Sequence, residues 1–234
     1  MRSMVYVLFA LASLVPFALV SLIDRRQRRV ALICALGAAP VGLADYLFVP
    51  EYWSPSHLVG HALSIEGVVS SFGNGGMLWF LAALPVRRRA ISAIDSVRLG
   101  RRYLLWLAIG FVVFLTIWHR GFAVVDLGVM EAALVSLIVV GTALAVIRPD
   151  AWPIMLSGGL GFGAYYAAQL ALLSAVAPEF ATAWAPTTLA GNTFRGFPIE
   201  EVAWAIIYGG VWALATAYGC DVRIRPRGAA GAQR

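Results

Sequence analysis

Seven long stretches of the sequence are almost free of charged residues, and each is long enough to cross a lipid bilayer as a helix. They fall at residues 4–23, 30–48, 63–84, 103–118, 127–147, 152–176 and 197–218. About 20 apolar residues suffice to span the hydrocarbon core as a helix. Only 13% of all residues are charged and the mean hydropathy is +0.81, which is too apolar for a water-soluble domain. We therefore predict an all-α integral membrane protein with seven transmembrane helices.

The positions of the basic residues predict how these helices are oriented. All 18 basic residues are arginines. On one predicted side of the membrane lie the arginines of residues 24–29, 85–102, 148 and 222–227. The opposite side holds only Arg2, Arg120 and Arg195. Loops rich in basic residues stay in the cytoplasm. We therefore expect an outside N-terminus, a cytoplasmic C-terminus and a multi-pass protein of the cell (inner, cytoplasmic) membrane. The net charge of +6 then needs no nucleic-acid partner to explain it.

A segment in the first half of the chain is repeated in the second half. VPEYWSPSHLVG at residues 49–60 reappears as APEFATAWAPTTLAG at residues 177–191, with three residues inserted. The matched positions are Pro50, Glu51, Trp53, Pro55, Leu58 and Gly60 with Pro178, Glu179, Trp184, Pro186, Leu189 and Gly191. Downstream, Glu66 matches Glu200, and the pair at residues 75–76 matches the pair at residues 209–210. An internal duplication explains this register better than chance similarity of Trp and Pro at two membrane boundaries.

The duplication predicts a division of the chain into two repeats of three helices. Residues 1–84 form the first repeat and residues 127–219 the second, with a cytoplasmic loop and a linker helix at residues 85–126 between them. Residues 220–234 are expected to form a cytoplasmic tail. Because a single linker helix separates the repeats, they are expected to be parallel and related about the membrane normal.

Four acidic residues lie in or beside the predicted spans: Asp45, Glu66, Glu200 and Glu201. A carboxyl group within a membrane is costly, so it is usually turned inward and given a partner or a function. We expect Glu66 and Glu200 near the outer ends of the third and seventh helices, facing a shared cleft. They could simply join the helices by hydrogen bonds. Alternatively, one carboxyl stays protonated beside an ionised one, which makes an acid and base pair.

Aromatic residues cluster in the same segments, and their faces attract cations. The candidates for a substrate-binding wall are Trp53, Phe72, Trp184, Phe197, Trp204 and Tyr208. The same residues could instead anchor helices at the membrane interface. The chain has no lysine for a Schiff base, and His57 and His61 have no clear third metal ligand. We expect neither a metal nor another cofactor.

Three segments resemble the membrane-embedded lycopene cyclase domain family, the flavin-independent type with tandem domains. They are DYLFVPEYW at residues 45–53, SIEGVVSSFGNGG at residues 64–76 and GFPIEEVAWAIIYGGVW at residues 196–212. The Pro-x-Glu-Glu element of that family matches Pro198, Glu200 and Glu201. In the first half, Gly67 follows Glu66 where a second acidic residue is often found.

The resemblance implies an isomerase-type enzyme that cyclises the end of a linear carotenoid such as lycopene, started by a proton and without redox change. It implies that Glu66 acts with Glu200 or Glu201 as acid and base, that Asp45 supports them, and that the aromatic residues shield a cation. The expected partners are an apolar isoprenoid and membrane lipid. Two alternatives stay open: a cyclase of another membrane terpenoid, and a small-solute or proton-coupled transporter with three helices, a linker helix and three helices.

Overall fold

The computed structural model describes residues 2–49, 52–54, 64–86, 90–92, 96–125, 128–184 and 191–224. Helices account for 84% of these residues. The α-helices are α1 (Arg2–Ile23), α2 (Arg28–Ala38), α3 (Asp45–Phe48), α4 (Ile65–Ala83), α5 (Ser96–Val125), α6 (Val129–Ile147), α7 (Trp152–Val176) and α8 (Ile199–Gly219). Three 3-10 helices cover Ala39–Ala44, Pro149–Ala151 and Pro178–Ala183. The remaining regular elements are short strands.

Two small antiparallel pairs of strands lie at the ends of the helices. Strand β1 (Ala90–Ser92) pairs with β4 (Val222–Ile224), so the segment before α5 is joined to the segment after α8. Strand β2 (Thr193–Phe194) pairs with β3 (Phe197–Pro198) in a tight hairpin that leads directly into α8. The hairpin fixes where the first turn of α8 begins.

Six helical segments of the described chain are long and apolar enough to cross a membrane. They are Val5–Ile23, Arg28–Phe48, Arg98–Gly121, Val129–Ile147, Pro149–Val176 and Ile199–Gly219. This confirms the prediction of an all-α, multi-pass membrane protein. The second segment is continuous only because α2, a 3-10 helix and α3 follow one another without a break.

The third stretch that we predicted to span, residues 63–84, forms α4 but is not one of the six. Glu66 and Asn74, together with serines and glycines, make α4 less apolar than these six segments. The position of α4 in the bundle explains why these polar residues are tolerated. Helix α4 packs against α1, α2 and α7, and Leu78 and Trp79 have no solvent-accessible surface. A helix that is covered by its neighbours does not need an apolar surface toward lipid.

Glycines allow α7 and α8 to approach closely, and this contact is the most extensive between the described elements. A Cβ added to Gly209 would lie 2.7 Å from the carbonyl oxygen of Gly158 and 2.9 Å from Cβ of Phe162. A Cβ added to Gly158 would lie 2.8 Å from the carbonyl oxygen of Gly209. These glycines therefore form a packing surface between the two helices.

Arginines hold the C-terminal end of α8. Arg148 donates to the carbonyl oxygens of Ala217 and Val222, at 3.4 and 2.6 Å, and forms a 2.7 Å ion pair with Asp150. From α5, Arg102 donates to the carbonyl oxygen of Tyr218 at 2.9 Å. The bonds to Ala217 and Tyr218 give partners to carbonyl groups in the last turn of α8, and the bond to Val222 joins Arg148 to strand β4. They also fasten the first turns of α5 to the end of α8.

We predict that Gly209→Ala lowers the free energy of unfolding by about 1–3 kcal/mol, because the added methyl group must displace backbone of α7. Unfolding in mixed micelles of a mild and a denaturing detergent measures this. Gly100→Ala is the matched control, since a Cβ at Gly100 meets nothing within 4 Å. Equal stability of the Gly209 variant and the wild type would contradict the packing argument.

Candidate functional site

A cavity of about 530 Å³ lies between the helices of the two halves of the chain. Helices α1, α4, α6, α7 and α8 surround it, α5 covers one side, and the 3-10 helix Ala39–Ala44 completes the wall. Its volume is typical of sites for small organic molecules. More than half of the chain's aromatic residues line it. The cavity is therefore suited to an apolar, unsaturated ligand.

Glu201 is the one charged side chain in the described lining of this cavity. It stands in the first turn of α8 and is only 6% exposed. Its Oε2 accepts a hydrogen bond of 2.9 Å from the hydroxyl of Tyr166, and its Oε1 accepts one of 3.0 Å from Nε1 of Trp184. A carboxyl group held at both oxygens has a fixed orientation.

The two hydrogen-bond partners are chemically different, and this decides where a proton can sit. The indole N–H of Trp184 can only donate, so Oε1 of Glu201 must act as an acceptor. The hydroxyl of Tyr166 can donate or accept, so a protonated Oε2 keeps its hydrogen bond. In the neutral form of Glu201, the proton therefore belongs on Oε2, beside Tyr166.

Tyr52 adds a second hydroxyl group to this end of the cavity. Its side chain is buried and lines the cavity beside Glu201. Burial, and after it the negative charge of Glu201, raise the pKa of Tyr52 above its ordinary value. Tyr52 therefore stays protonated in the physiological range of pH.

A ladder of stacked rings runs along α8 away from Glu201. Trp204 and Tyr208 stack at 4.8 Å between ring centroids with planes 10° apart. Tyr208 and Trp212 stack at 5.5 Å with planes 18° apart. Residues three and four positions apart lie on one face of a helix, so the ladder extends for about 16 Å from the carboxyl group. All three rings line the cavity.

A layer of aromatic rings closes the cavity above Glu201. Trp184 contacts Trp53 at 5.5 Å between centroids and Phe180 at 5.3 Å. Phe197 has no exposed surface and packs edge-on against Trp184 at 5.0 Å. Trp53 and Trp184 also pair through their backbones in an antiparallel bridge. The position of the Trp184 indole is thus fixed by contacts on several sides.

The structure brings some of the predicted site residues together and separates others. Those that line the cavity are Glu201, Trp53, Trp184, Trp204 and Tyr208. Phe197 lies one layer behind Trp184, and Phe72 packs edge-on against Phe17 of α1 at 5.5 Å. Neither is part of the lining.

Glu66 and Glu200 are buried, with 8% and 5% exposure, but neither belongs to the described lining of the cavity. Their helical neighbours Gly67 and Glu201 do. Successive residues of an α-helix point about 100° apart, so Glu66 and Glu200 point in a different direction from Gly67 and Glu201. The side chain of Asp45, at the start of α3, lies outside the described part of the structure, as do His57 and His61.

Sequence reasoning missed Tyr166 and Tyr52 as neighbours of Glu201. Tyr166 directly follows the glycine-rich run at residues 158–165, which packs α7 against α8. A tyrosine hydroxyl in the middle of a predicted span was the available signal, because such a group needs a partner in the membrane. Helix α5, expected to serve only as a linker, contributes Trp106 and Phe111 to the wall.

The described residues contain no group of three His, Cys, Asp or Glu side chains that could hold a metal ion. Cys34 and Cys220 are free and buried. No protein-family model matches the chain, and neither a curated protein nor a solved structure matches it significantly. Its function must therefore be argued from the cavity.

We predict that Tyr166→Phe lowers the free energy of unfolding by about 1–3 kcal/mol, because a buried carboxyl oxygen loses its partner. Tyr208→Phe is the control: it removes a hydroxyl group in the same cavity that makes no hydrogen bond to a described residue, and we expect a smaller loss. Detergent unfolding of the two purified variants compares them. Equal losses of free energy of unfolding would show that the hydrogen bond between Tyr166 and Glu201 does not stabilise the protein.

Proposed function

We propose that this protein is a membrane-embedded cyclase of the lycopene cyclase domain type, which converts a linear isoprenoid into a cyclic isomer without redox change. The carotenoid end group of lycopene is the proposed substrate. The observation that carries the proposal is a buried carboxyl group, held at both oxygens, which is the one carboxyl group in the described lining of a cavity rich in aromatic rings. An acid in an apolar, cation-stabilising cavity is what proton-initiated cyclisation needs.

In the proposed reaction, the proton on Oε2 of neutral Glu201 adds to the terminal alkene of the substrate. The resulting tertiary cation is attacked by a second alkene, which forms one carbon–carbon bond and closes a six-membered ring. Loss of a proton from a carbon next to the new cationic centre restores an alkene. One proton is added and one is removed, so substrate and product have the same atoms.

Glu201 serves in this scheme as both acid and base. After donating its proton it is a carboxylate, and the described lining of the cavity contains no other carboxyl group. It is therefore the base available to the cyclic cation. Tyr166 and Trp184 keep hold of the carboxylate through the cycle, since both can donate to it.

The walls of the cavity have two tasks during the lifetime of the cation. Trp204, Tyr208 and Trp212 line the cavity and supply a polarisable aromatic wall beside the positive charge. The apolar surroundings also keep out water, which would otherwise capture the cation as an alcohol.

The proposal includes the finer topology predicted from the sequence: seven spans with α4 as the additional one, two parallel three-helix repeats, and an outside N-terminus. The bridge between the matched residues Trp53 and Trp184 supports a two-fold relation, because equivalent positions meet at such an axis. The register of the repeat also makes Gly67 the counterpart of Glu201, and both line the cavity. The arginines that surround the end of α8 support a cytoplasmic side there.

The test is expression in cells that accumulate lycopene, with the pigments separated by chromatography. We expect cyclic carotenoid from the wild type and a loss of at least about 100-fold with Glu201→Gln, since a positioned acid contributes about 100- to 10,000-fold. Glu200→Gln and Glu66→Gln, which are equally conservative changes of buried carboxyls outside the described lining, should retain most of the activity.

Unchanged lycopene with the wild type, in membranes that contain the protein, would refute lycopene as the substrate. Loss of activity with Glu66→Gln but not with Glu201→Gln would refute the role given to Glu201. Uptake of a solute into proteoliposomes without any new product would indicate a transporter instead.

A further inference from the structure

The cavity is not closed on every side within the described structure. Its lining residues are buried or half-buried except for Pro40, Leu43 and Phe111. Leu43 is 48% exposed and Phe111 is 55% exposed. Pro40 and Leu43 belong to the 3-10 helix Ala39–Ala44, and Phe111 belongs to α5. We call the gap between these two elements the lateral opening.

The lateral opening faces the hydrocarbon region of the bilayer. Phe111 and its neighbour Gly110 lie at the middle of the span Arg98–Gly121. Leu43 lies within the span Arg28–Phe48. The middle of a transmembrane segment is surrounded by acyl chains and not by water. The exposed surface at the opening is therefore in contact with lipid.

The arrangement of α5 explains why a gap exists at this depth. Its first turns are fastened by Arg102 and by Tyr103, whose hydroxyl donates to Oγ1 of Thr216 at 2.7 Å. Farther along, α5 packs against α6 and α8 but has no extensive contact with the 3-10 helix Ala39–Ala44. A Cβ added to Gly110 would meet nothing within 4 Å, although Gly110 lines the cavity. Free space is thus present beside Gly110.

We infer that the lateral opening is the binding site for the unreacted tail of a long linear isoprenoid, which extends through it from the cavity into the bilayer. The inference rests on the proposed function, because it assumes that one end of such a chain reacts at Glu201. The carboxyl group stands at one end of the cavity, and the opening lies in its wall within the membrane-spanning segments Arg28–Phe48 and Arg98–Gly121. A chain much longer than the cavity can then place its end beside Glu201 and leave the rest among lipid chains.

The residues around the lateral opening are apolar, as the binding of a hydrocarbon tail requires. Leu43, Phe111 and the backbone of Gly110 present no charged group, so an apolar chain passes without displacing a hydrogen-bond partner. The site therefore selects for a long apolar tail and against a substrate with a charged or strongly hydrated end, such as a diphosphate.

Filling the space beside Gly110 tests the inference. The variants Gly110→Ala, Gly110→Leu and Gly110→Phe add side chains of increasing size where the fold leaves room. Gly100→Phe is the matched control, since Gly100 lies on the same helix, also has no atom within 4 Å of an added Cβ, and does not line the cavity. Each protein is expressed in lycopene-accumulating cells and purified in mild detergent. The bound polyene per protein is measured by absorbance, and the products are measured separately by chromatography.

We expect the wild type and Gly100→Phe to retain similar amounts of polyene, and Gly110→Phe to retain at least five-fold less, with Gly110→Ala and Gly110→Leu between them in the order of side-chain size. Equal retention by Gly110→Phe and the wild type would overturn the inference, as would an equal loss in Gly100→Phe or a wild type that retains no polyene. Size-exclusion profiles show whether each variant is folded. A wild type that retains polyene but forms no cyclic product would refute the proposed function while leaving the tail site supported by the Gly110 series.

Discussion

The rest of the site depends on the two hydrogen bonds that hold the carboxyl group of Glu201 between Tyr166 and Trp184. A buried carboxyl group in a membrane protein is costly unless its oxygens are paired. Its two partners come from α7 and from the segment that follows the 3-10 helix Pro178–Ala183. The close contact between α7 and α8, which depends on Gly158 and Gly209, brings the hydroxyl of Tyr166 within reach. The layer of rings around Trp184 holds the second partner.

Much of the fold could be predicted from the sequence because membrane spans follow from length and apolarity alone. The boundaries of α6, α7 and α8 lie within two residues of the predicted stretches. Helix α4 shows where the rule weakens. A helix that is covered by three others can carry Glu66 and Asn74. Its average hydropathy is then too low to identify it as one of the bundle helices. The 3-10 helix Ala39–Ala44 was also not predictable, because apolarity does not distinguish an α-helix from a tighter one.

The candidate site could be predicted only in part. The aromatic residues of α8 were found from their clustering, and the Pro-x-Glu-Glu resemblance pointed to the first turn of that helix. The choice between Glu200 and Glu201 depends on about 100° of helical rotation, which the internal repeat did not resolve. The repeat drew attention to Glu66 and Glu200 because they match, whereas the cavity is lined by the unmatched pair Gly67 and Glu201. An internal repeat draws attention to positions that are identical in both halves, whereas the carboxyl group of this site stands at a position that differs between them.

The bridge between Trp53 and Trp184 has a consequence for the supply of protons. Together with Phe180 and Phe197 it forms an aromatic layer above Glu201, so apolar rings cover that carboxyl group on this side. In the proposed reaction the proton lost by the cyclic cation returns to the group that gave it. The catalytic proton would then stay with the protein between reaction cycles, as a tightly bound cofactor does. Glu201, once protonated, would serve many turnovers.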